Sequence, residues 1–236
     1  MTVPDLTTFI GEHPCEVTGL SDGRSVLEFG APRMHYESAD SWSSLAGCME
    51  WTAELRLSHL DAAGDAPEVS VGTVQFLILR AGYERPREVL PLYGERAEIF
   101  AELFSEEWLD PDLDESDDFT GGMPISTALL VLDATVDSRL PSASSLRAWA
   151  VAETVHTMLP TTSGLVVMPA LPAAAQPARR LLPADQVDPD CARVGCASIP
   201  GHPRFYGQAT AYVYLEEARN ELAHVRDGVF RVELQD

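Results

Sequence analysis

Hydroxyl and guanidinium side chains that could bind a phosphate cluster in one polar stretch of the chain. Ser142, Ser144 and Ser145 lie where a segment with helical spacing begins, and Arg139 and Arg147 lie on either side of them. A helix N-terminus attracts anions because its first backbone N–H groups have no partner within the helix. Serine hydroxyls can cap such a helix, and arginine pairs with phosphate oxygens. The stretch therefore indicates an anion site, although it lacks the glycines that let a backbone approach a phosphate closely.

The elements around this stretch predict a β-loop-α-β unit. Ser126–Val136 is nearly all apolar or β-branched, as a strand buried on both faces should be. The polar connection Asp137–Ser145 leads into the helical spacing of Leu146–Met158, and Gly164–Met168 is a second short apolar run. Two sequential strands joined by a helix predict a parallel pair with a right-handed crossover. We therefore expect an α+β protein with a central mixed β-sheet flanked by helices.

The chain before this unit carries further strand patterns. Trp51–Leu60 alternates polar and apolar residues and Glu68–Arg80 is long and β-rich, so the two segments predict a hairpin. Gly72 indicates a β-bulge or a close approach of another backbone. Ser25–Phe29 predicts an earlier strand.

The remaining patterns predict two helices, a loop and a closing strand. Leu92–Trp108 has an apolar stripe and a charged face, and Gln208–Ala223 repeats apolar residues at helical spacing. Residues 183–203 contain several prolines and predict a loop. Asp227-Gly228 is a hairpin turn signal, and Val229–Leu234 alternates after it, which predicts a terminal hairpin closed by an edge strand.

The composition is that of an acidic globular protein. The 236 residues carry a formal net charge of −21, and 45% of them are hydrophobic. Nucleic acid and anionic membrane surfaces are disfavoured as partners because both require a basic protein face. A basic protein remains compatible with this charge. All 16 basic residues are Arg, which excludes a lysine Schiff base and a P-loop lysine.

Cysteine usage and the absence of targeting segments predict a cytoplasmic protein without a metal site. The chain shows no basic segment followed by an apolar stretch and no apolar run of membrane length. We expect the four cysteines to be reduced thiols. Cys191 and Cys196 form a single C-x4-C pair, and His202 six residues further on does not complete a zinc set.

The acidic segment 110–118 resembles a calcium loop only at its start, where three aspartates alternate. Counted from Asp110, an EF-hand requires Gly at the sixth position and Glu at the twelfth, and Glu115 and Gly121 stand there. We interpret the segment as a solvated acidic loop.

The order of elements resembles the GNAT acetyltransferase fold. Leu129–Val136 followed by Leu146–Val155 is similar to the central strand and helix of that family, and Gly164–Pro172 to its next strand in GC-rich bacteria. Val71–Val74 and Asp227–Leu234 fit the flanking strands. The resemblance rests on element order and apolar pattern.

The resemblance implies one domain over residues 1–236. Its core would span residues 51–234, with residues 1–50 as an N-terminal extension and residues 82–123 as a helical, acidic insertion. GNAT enzymes bind the pyrophosphate of acetyl-CoA in a glycine-rich loop between the central strand and its helix. The best-fitting positions here are Ser142, Ala143, Ser144, Ser145, Leu146 and Arg147. None is Gly, and the bulk of the last one would fill the site.

The catalytic residues that the resemblance implies also depart from the family pattern. GNAT enzymes use a C-terminal Tyr to protonate the leaving thiolate, and Glu216–Leu222 has no Tyr in register. Tyr212 and Tyr214 are the nearby substitutes. A general base near the splayed central strands would be Glu54, Glu68 or Asp133, which are candidates by location only.

Two functions follow from these observations. The favoured one is a GNAT-like protein that has lost acetyl transfer and acts as a binding module, as a homodimer or with a basic protein partner. The alternative is a divergent N-acyltransferase that uses acetyl-CoA or another acyl-CoA and acts on a small-molecule or peptide amine. The second requires the stretch Ser142–Arg147 to accept a phosphate.

Overall fold

A computed structural model describes residues 3–12, 18–19, 25–39, 44–60, 66–114, 120–170 and 189–234. These residues form one mixed β-sheet with helices on its faces, which confirms the predicted α+β class. Within them the sheet has nine strands. No described helix combines the length and the hydropathy that crossing a membrane requires.

The strands pair in the order β1-β2-β3-β4-β5-β6-β8-β7, and β9 pairs with β2. All pairs are antiparallel except β5 with β6. The strands are β1 Thr18–Gly19, β2 Ser25–Ala39, β3 Cys48–His59, β4 Glu68–Arg80, β5 Thr127–Val136, β6 Gly164–Pro169, β7 Ala197–Ile199, β8 His202–Ala209 and β9 Phe230–Leu234.

The longest helix connects the two parallel strands. The helices are α1 Leu6–Glu12, α2 Pro86–Val89, α3 Glu95–Glu98, α4 Pro111–Asp114, α5 Ala143–Met158, α6 Pro189–Arg193 and α7 Tyr214–Glu221, with 3-10 helices at Leu90–Tyr93, Ile99–Leu103 and Leu222–Asp227. The unit β5-α5-β6 is the predicted β-loop-α-β unit, and the predicted parallel pairing is confirmed.

Two hydrophobic cores lie on opposite faces of the sheet. One core joins α1, α5 and the 3-10 helix Leu222–Asp227 to β2–β6, and it includes Phe29, Val131 and Trp149. The other places the short helices of residues 86–114 against β4, β5, β6 and β8. The rings of Phe100 and Phe205 contact each other there, with centroids 5.0 Å apart and planes tilted by 34°. Alternation along each strand produces both cores, because successive side chains point to opposite faces.

The structure corrects the predicted helices. Leu92–Trp108 is not one helix, since Gly94 takes a left-handed φ of 91° and separates the 3-10 helix Leu90–Tyr93 from α3. Leu92 itself is exposed. The prediction of a helix over Gln208–Ala223 is wrong at its start, because Gln208 lies in β8 and is buried against β6.

The predicted loop over residues 183–203 contains α6 and β7 in its described part, while residues 183–188 lie outside the described residues. The predicted hairpins are confirmed between β3 and β4 but not at the C-terminus, where β9 pairs with β2. Ser25–Phe29 extends to Ala39 as β2. That strand places part of residues 1–50 inside the sheet.

Candidate site at the start of the central helix

The two parallel strands separate before they end. Thr127–Leu130 of β5 pairs with Gly164–Val167 of β6, and the described residues show no pairing between the two strands beyond Leu130 and Val167. The register between β4 and β5 skips Leu132, so β5 bulges just past the point of separation. The carboxyl ends of the strands therefore diverge, and this edge is where open α/β sheets bind ligands.

The short helix α6 spans the divergence. The thiol of Cys191 on α6 lies 3.6 Å from the carbonyl oxygen of Pro169, the last residue of β6. Asp190, in the first turn of the same helix, contacts the start of α5, which follows the end of β5. Cys191 is fully buried in the core beneath this helix. The opening between the strand ends is thus covered by the chain itself.

The carboxylate of Asp190 accepts hydrogen bonds from the residues that were predicted to hold a phosphate. Ser144 Oγ donates to Asp190 Oδ1 at 2.8 Å, and Arg147 Nε donates to Oδ2 at 2.5 Å. Arg193 donates to Ser144 Oγ at 2.9 Å and to Ser145 Oγ at 2.7 Å, and it lies 3.6 Å from Asp190 Oδ1. The Asp190 side chain is only 3% exposed. A buried carboxylate and two guanidinium groups therefore form one hydrogen-bonded network within the fold.

The other three predicted cofactor positions offer little to a ligand. Ser142 occupies the N-cap position of α5, but its side chain makes no capping hydrogen bond. Ala143 is the first helical residue, and Leu146 is fully buried in the core. The hydroxyl and guanidinium groups of the stretch that could bind a phosphate are therefore largely used within the fold.

Arg139 is also engaged by the chain. Its guanidinium donates to Asp137 Oδ1 and Oδ2 at 2.9 and 2.6 Å and to Thr7 Oγ1 of α1 at 2.9 Å. The hydrogen bond from Arg139 holds the pKa of Asp137 below its ordinary value. This second ion pair fixes the loop before α5, so both arginines that flank the serines contact the protein's own acids.

The candidate general bases form ion pairs with arginine. Glu54 lies 2.5 Å from an Arg56 nitrogen, and Glu68 lies 3.5 Å both from Arg56 and from Arg33. Asp133 pairs with Arg96 at 2.8 Å. On β3 the buried residues alternate with Glu54 and Arg56, so these two point away from the face that carries α5. The structure does not bring these carboxylates to the start of α5.

Tyr212 and Tyr214 lie at the start of α7. Their rings stack with centroids 5.8 Å apart. Both belong to the segment that follows β8, and β8 pairs with β6 so that Ala209 faces Leu165, near the amino end of β6. Their segment therefore leaves the sheet at the amino end of β6, whereas α6 contacts the carboxyl end of β6 at Pro169. The two tyrosines do not complete a site with Ser142–Arg147.

The cysteines and the acidic segment form no metal centre in the described part of the chain. The described residues contain no group of three or more His, Cys, Asp or Glu side chains that could hold a metal ion. Cys191 and Cys196 are buried thiols, and burial raises the pKa of Cys196. Residues 115–118 of the acidic segment lie outside the described residues.

Asp190 and Arg193 were missed because their segment was interpreted as loop. Local signals for α6 do exist. Pro189 stands at the first helical position with an acidic residue after it, and Gly195 follows the helix with a φ of 89°. Gly195 N and Cys196 N donate to the carbonyls of Ala192 and Cys191, which closes the helix in a Schellman motif.

Comparison with known proteins identifies no relative. No family model matches the chain, and neither the curated proteins nor the solved structures contain a significant match.

Proposed function

We propose that this chain is a GNAT-like protein that has lost acyl transfer and acts as a binding module for a basic protein partner. One observation carries the proposal: the carboxylate of Asp190 takes the hydrogen bonds of Ser144 and Arg147 at the start of α5. These are the side chains that would have to replace the glycines of an acetyl-CoA loop. A pyrophosphate would therefore compete with an anion that belongs to the protein.

The competition favours the protein's own carboxylate. Asp190 belongs to the same chain as its partners, so its contact avoids the translational and rotational entropy that a free ligand loses on binding. Its removal from the site would break the hydrogen bonds of a carboxylate that is only 3% exposed, at a cost of about 1–3 kcal/mol. A CoA phosphate would have to compensate that cost in addition to its own desolvation.

The carboxylates that could serve as a base provide no support for catalysis. A general base must accept a proton from the amine within hydrogen-bond distance. Glu54 and Asp133 would first have to leave Arg56 and Arg96. The separation of β5 from β6 fits the resemblance to GNAT proteins, but the described residues at that opening contain no free acid–base pair.

The charge of the chain supports a basic partner. A net charge of −21 creates a negative field that accelerates encounters with cationic surfaces and opposes encounters with anionic ones. Complementary charge mainly sets the association rate and the choice of partner. A binding module with this composition therefore selects proteins with an exposed basic surface.

Thermal denaturation with CoA compounds tests the loss of acyl transfer. We expect the Tm of the wild type to remain unchanged with acetyl-CoA, a longer acyl-CoA or free CoA. A ligand at 100 times its Kd would stabilise the folded state by about 2.7 kcal/mol, which is readily measured. A rise in the Tm of the wild type with any of these compounds would overturn the proposal.

The variants D190A and D190N test the observation behind the proposal. If Asp190 blocks an anion site, both variants expose Ser144, Arg147 and Arg193, and their Tm should rise with CoA or inorganic phosphate at constant ionic strength. D190N retains the shape of the side chain, so it can be used for the same measurement if D190A folds poorly. If phosphate raises the Tm of neither variant, Asp190 does not block an anion site, and the argument that supports the proposal fails.

A further inference from the structure

A cavity lies between α5 and α7, at the end of α5 that is remote from Asp190. Its volume is about 260 Å³. Ala152, Val155 and Leu159 of α5 and Leu215 of α7 supply an apolar floor. Cavities with an apolar lining and a few converging polar groups are the usual form of a binding site. None of the predicted cofactor residues contributes to it.

The polar side chains at the cavity are Tyr212, His156, Glu216 and Arg219. The Tyr212 ring is held in place by its stacking on Tyr214. Glu216 is exposed and forms no ion pair with any described residue. A carboxylate beside an aromatic ring and above an apolar floor is the arrangement that recognises a cation on an aliphatic stem.

The guanidinium of Arg219 at the cavity is already paired within the fold. Arg219 Nε and a terminal nitrogen donate to the two carboxylate oxygens of Glu153 at 2.9 and 3.2 Å. Arg226 donates to the same carboxylate at 2.8 Å. The Glu153 side chain is only 12% exposed. Arg219 is therefore directed to Glu153 by two of its nitrogens, whereas Glu216 forms no ion pair with the described residues and can take a cationic ligand.

We propose that the cavity between α5 and α7 binds an arginine side chain presented by a protein partner. The inference rests on the proposed function and identifies where the basic protein partner would contact the chain. An arginine stem fits the apolar floor, and its planar guanidinium can pair with Glu216 and stack on Tyr212. Glu216 repels an acidic ligand, and a wholly apolar ligand gains nothing from that carboxylate.

A peptide titration followed by NMR tests this site. The probe is acetyl-Leu-Arg-Leu-amide, and its matched control carries citrulline, which is uncharged and has nearly the shape of arginine. We expect the arginine peptide to bind about tenfold or more tightly than the citrulline peptide, because a charged hydrogen bond is lost in the latter. The ring resonances of His156 report binding at this cavity and not elsewhere on the acidic surface.

The variant E216Q and the control variant E98Q separate a site from general attraction. Glu98 is exposed on the opposite face of the sheet. E216Q should abolish the preference for arginine over citrulline, while E98Q should leave it unchanged. Equal weakening in both variants, an unchanged preference in E216Q, or the absence of His156 shifts would overturn the proposal. A rise in the Tm of the wild type with acetyl-CoA would instead overturn the proposed function. The preference for the arginine peptide over the citrulline peptide would still be measured independently of that result.

Discussion

Arg147 Nε and Asp190 Oδ2 lie 2.5 Å apart and join residues that are 43 positions apart in the chain. The contact ties the start of the central helix to the short helix that covers the ends of the parallel strands. A buried charge is tolerated when its partners satisfy it, and Ser144 and Arg193 complete that role here. The same contact therefore stabilises the fold and occupies a helix start that could bind an anion.

D190A should destabilise the protein by about 1–3 kcal/mol, because Arg147 and Ser144 lose a buried acceptor. Urea unfolding measures the change in the free energy of unfolding. D227A, which removes an exposed aspartate at the end of the last 3-10 helix, is the matched control and should change the stability by less than about 0.5 kcal/mol. Equal losses in the two variants would contradict the role of Asp190.

The carboxylate of Glu153 should make the free energy of unfolding decrease as the pH falls into the acid range. Burial opposes its ionisation, but the hydrogen bonds and charges of Arg219 and Arg226 outweigh that effect and hold its pKa below the ordinary value. Since the folded pKa is depressed, the stabilisation is complete above the pKa of the unfolded chain, about 4.3. It is lost as the pH falls through the folded pKa.

The comparison of E153Q with wild type from pH 7 to pH 3 checks this expectation. E153Q should be less stable at pH 7, since both arginines lose a charged partner, and the difference from wild type should shrink below about pH 4. E217Q, an exposed glutamate on α7, is the control and should show no such convergence. Parallel pH profiles of E153Q and wild type would show that the carboxylate of Glu153 is not the responsible group.

Gly72 is required by the approach of β5. A Cβ atom at this position would collide with the carbonyl oxygen of Thr135 and touch Val136. G72A should therefore cost about 1–3 kcal/mol through overpacking between β4 and β5. The control is G11A in α1, where a Cβ meets no atom within 4 Å and helix propensity favours alanine. A thermal melt in which G72A retains the wild-type Tm would contradict the close approach.

Cys48 should be unreactive in the folded protein. Burial raises the pKa of its thiol to about 11. The thiolate is the reacting form, so alkylation by iodoacetamide at pH 8 should be roughly 100-fold slower than that of a free cysteine. Peptide mapping by mass spectrometry should show modification in guanidinium chloride but not in native buffer. Rapid native labelling would mean that the strand end carrying Cys48 opens readily.

The sequence predicts the parts of the fold that have a clear pattern of apolar residues. The hairpin of β3 and β4 and the unit β5-α5-β6 follow from apolar spacing, because each buries a continuous face. The segment before β5 could not be predicted in the same way. Most of its apolar residues are buried, but Leu92 is exposed and Gly94 separates two short helical pieces, which are held by their packing onto the sheet.

The sequence predicts only the part of the candidate site that lies at the start of α5. Serines and arginines at the start of α5 follow from local composition, and their position at a helix start is confirmed. Their partner Asp190 belongs to a separate proline-containing segment, and no periodicity connects the two. Ion pairs between distant segments depend on the assembled fold, so local patterns do not reveal them.

The pairing of β9 with β2 affects how the chain folds during its synthesis on the ribosome. Phe230 lies opposite Phe29, and Leu234 opposite Ser25. During synthesis the early strand leaves the exit tunnel well before the late one, at roughly 5–20 residues per second. For roughly 10–40 seconds the edge of β2 that later pairs with β9 has no native neighbour, and such an edge is a template for association with other nascent chains. Such high contact order makes folding slow and chaperone contact advantageous.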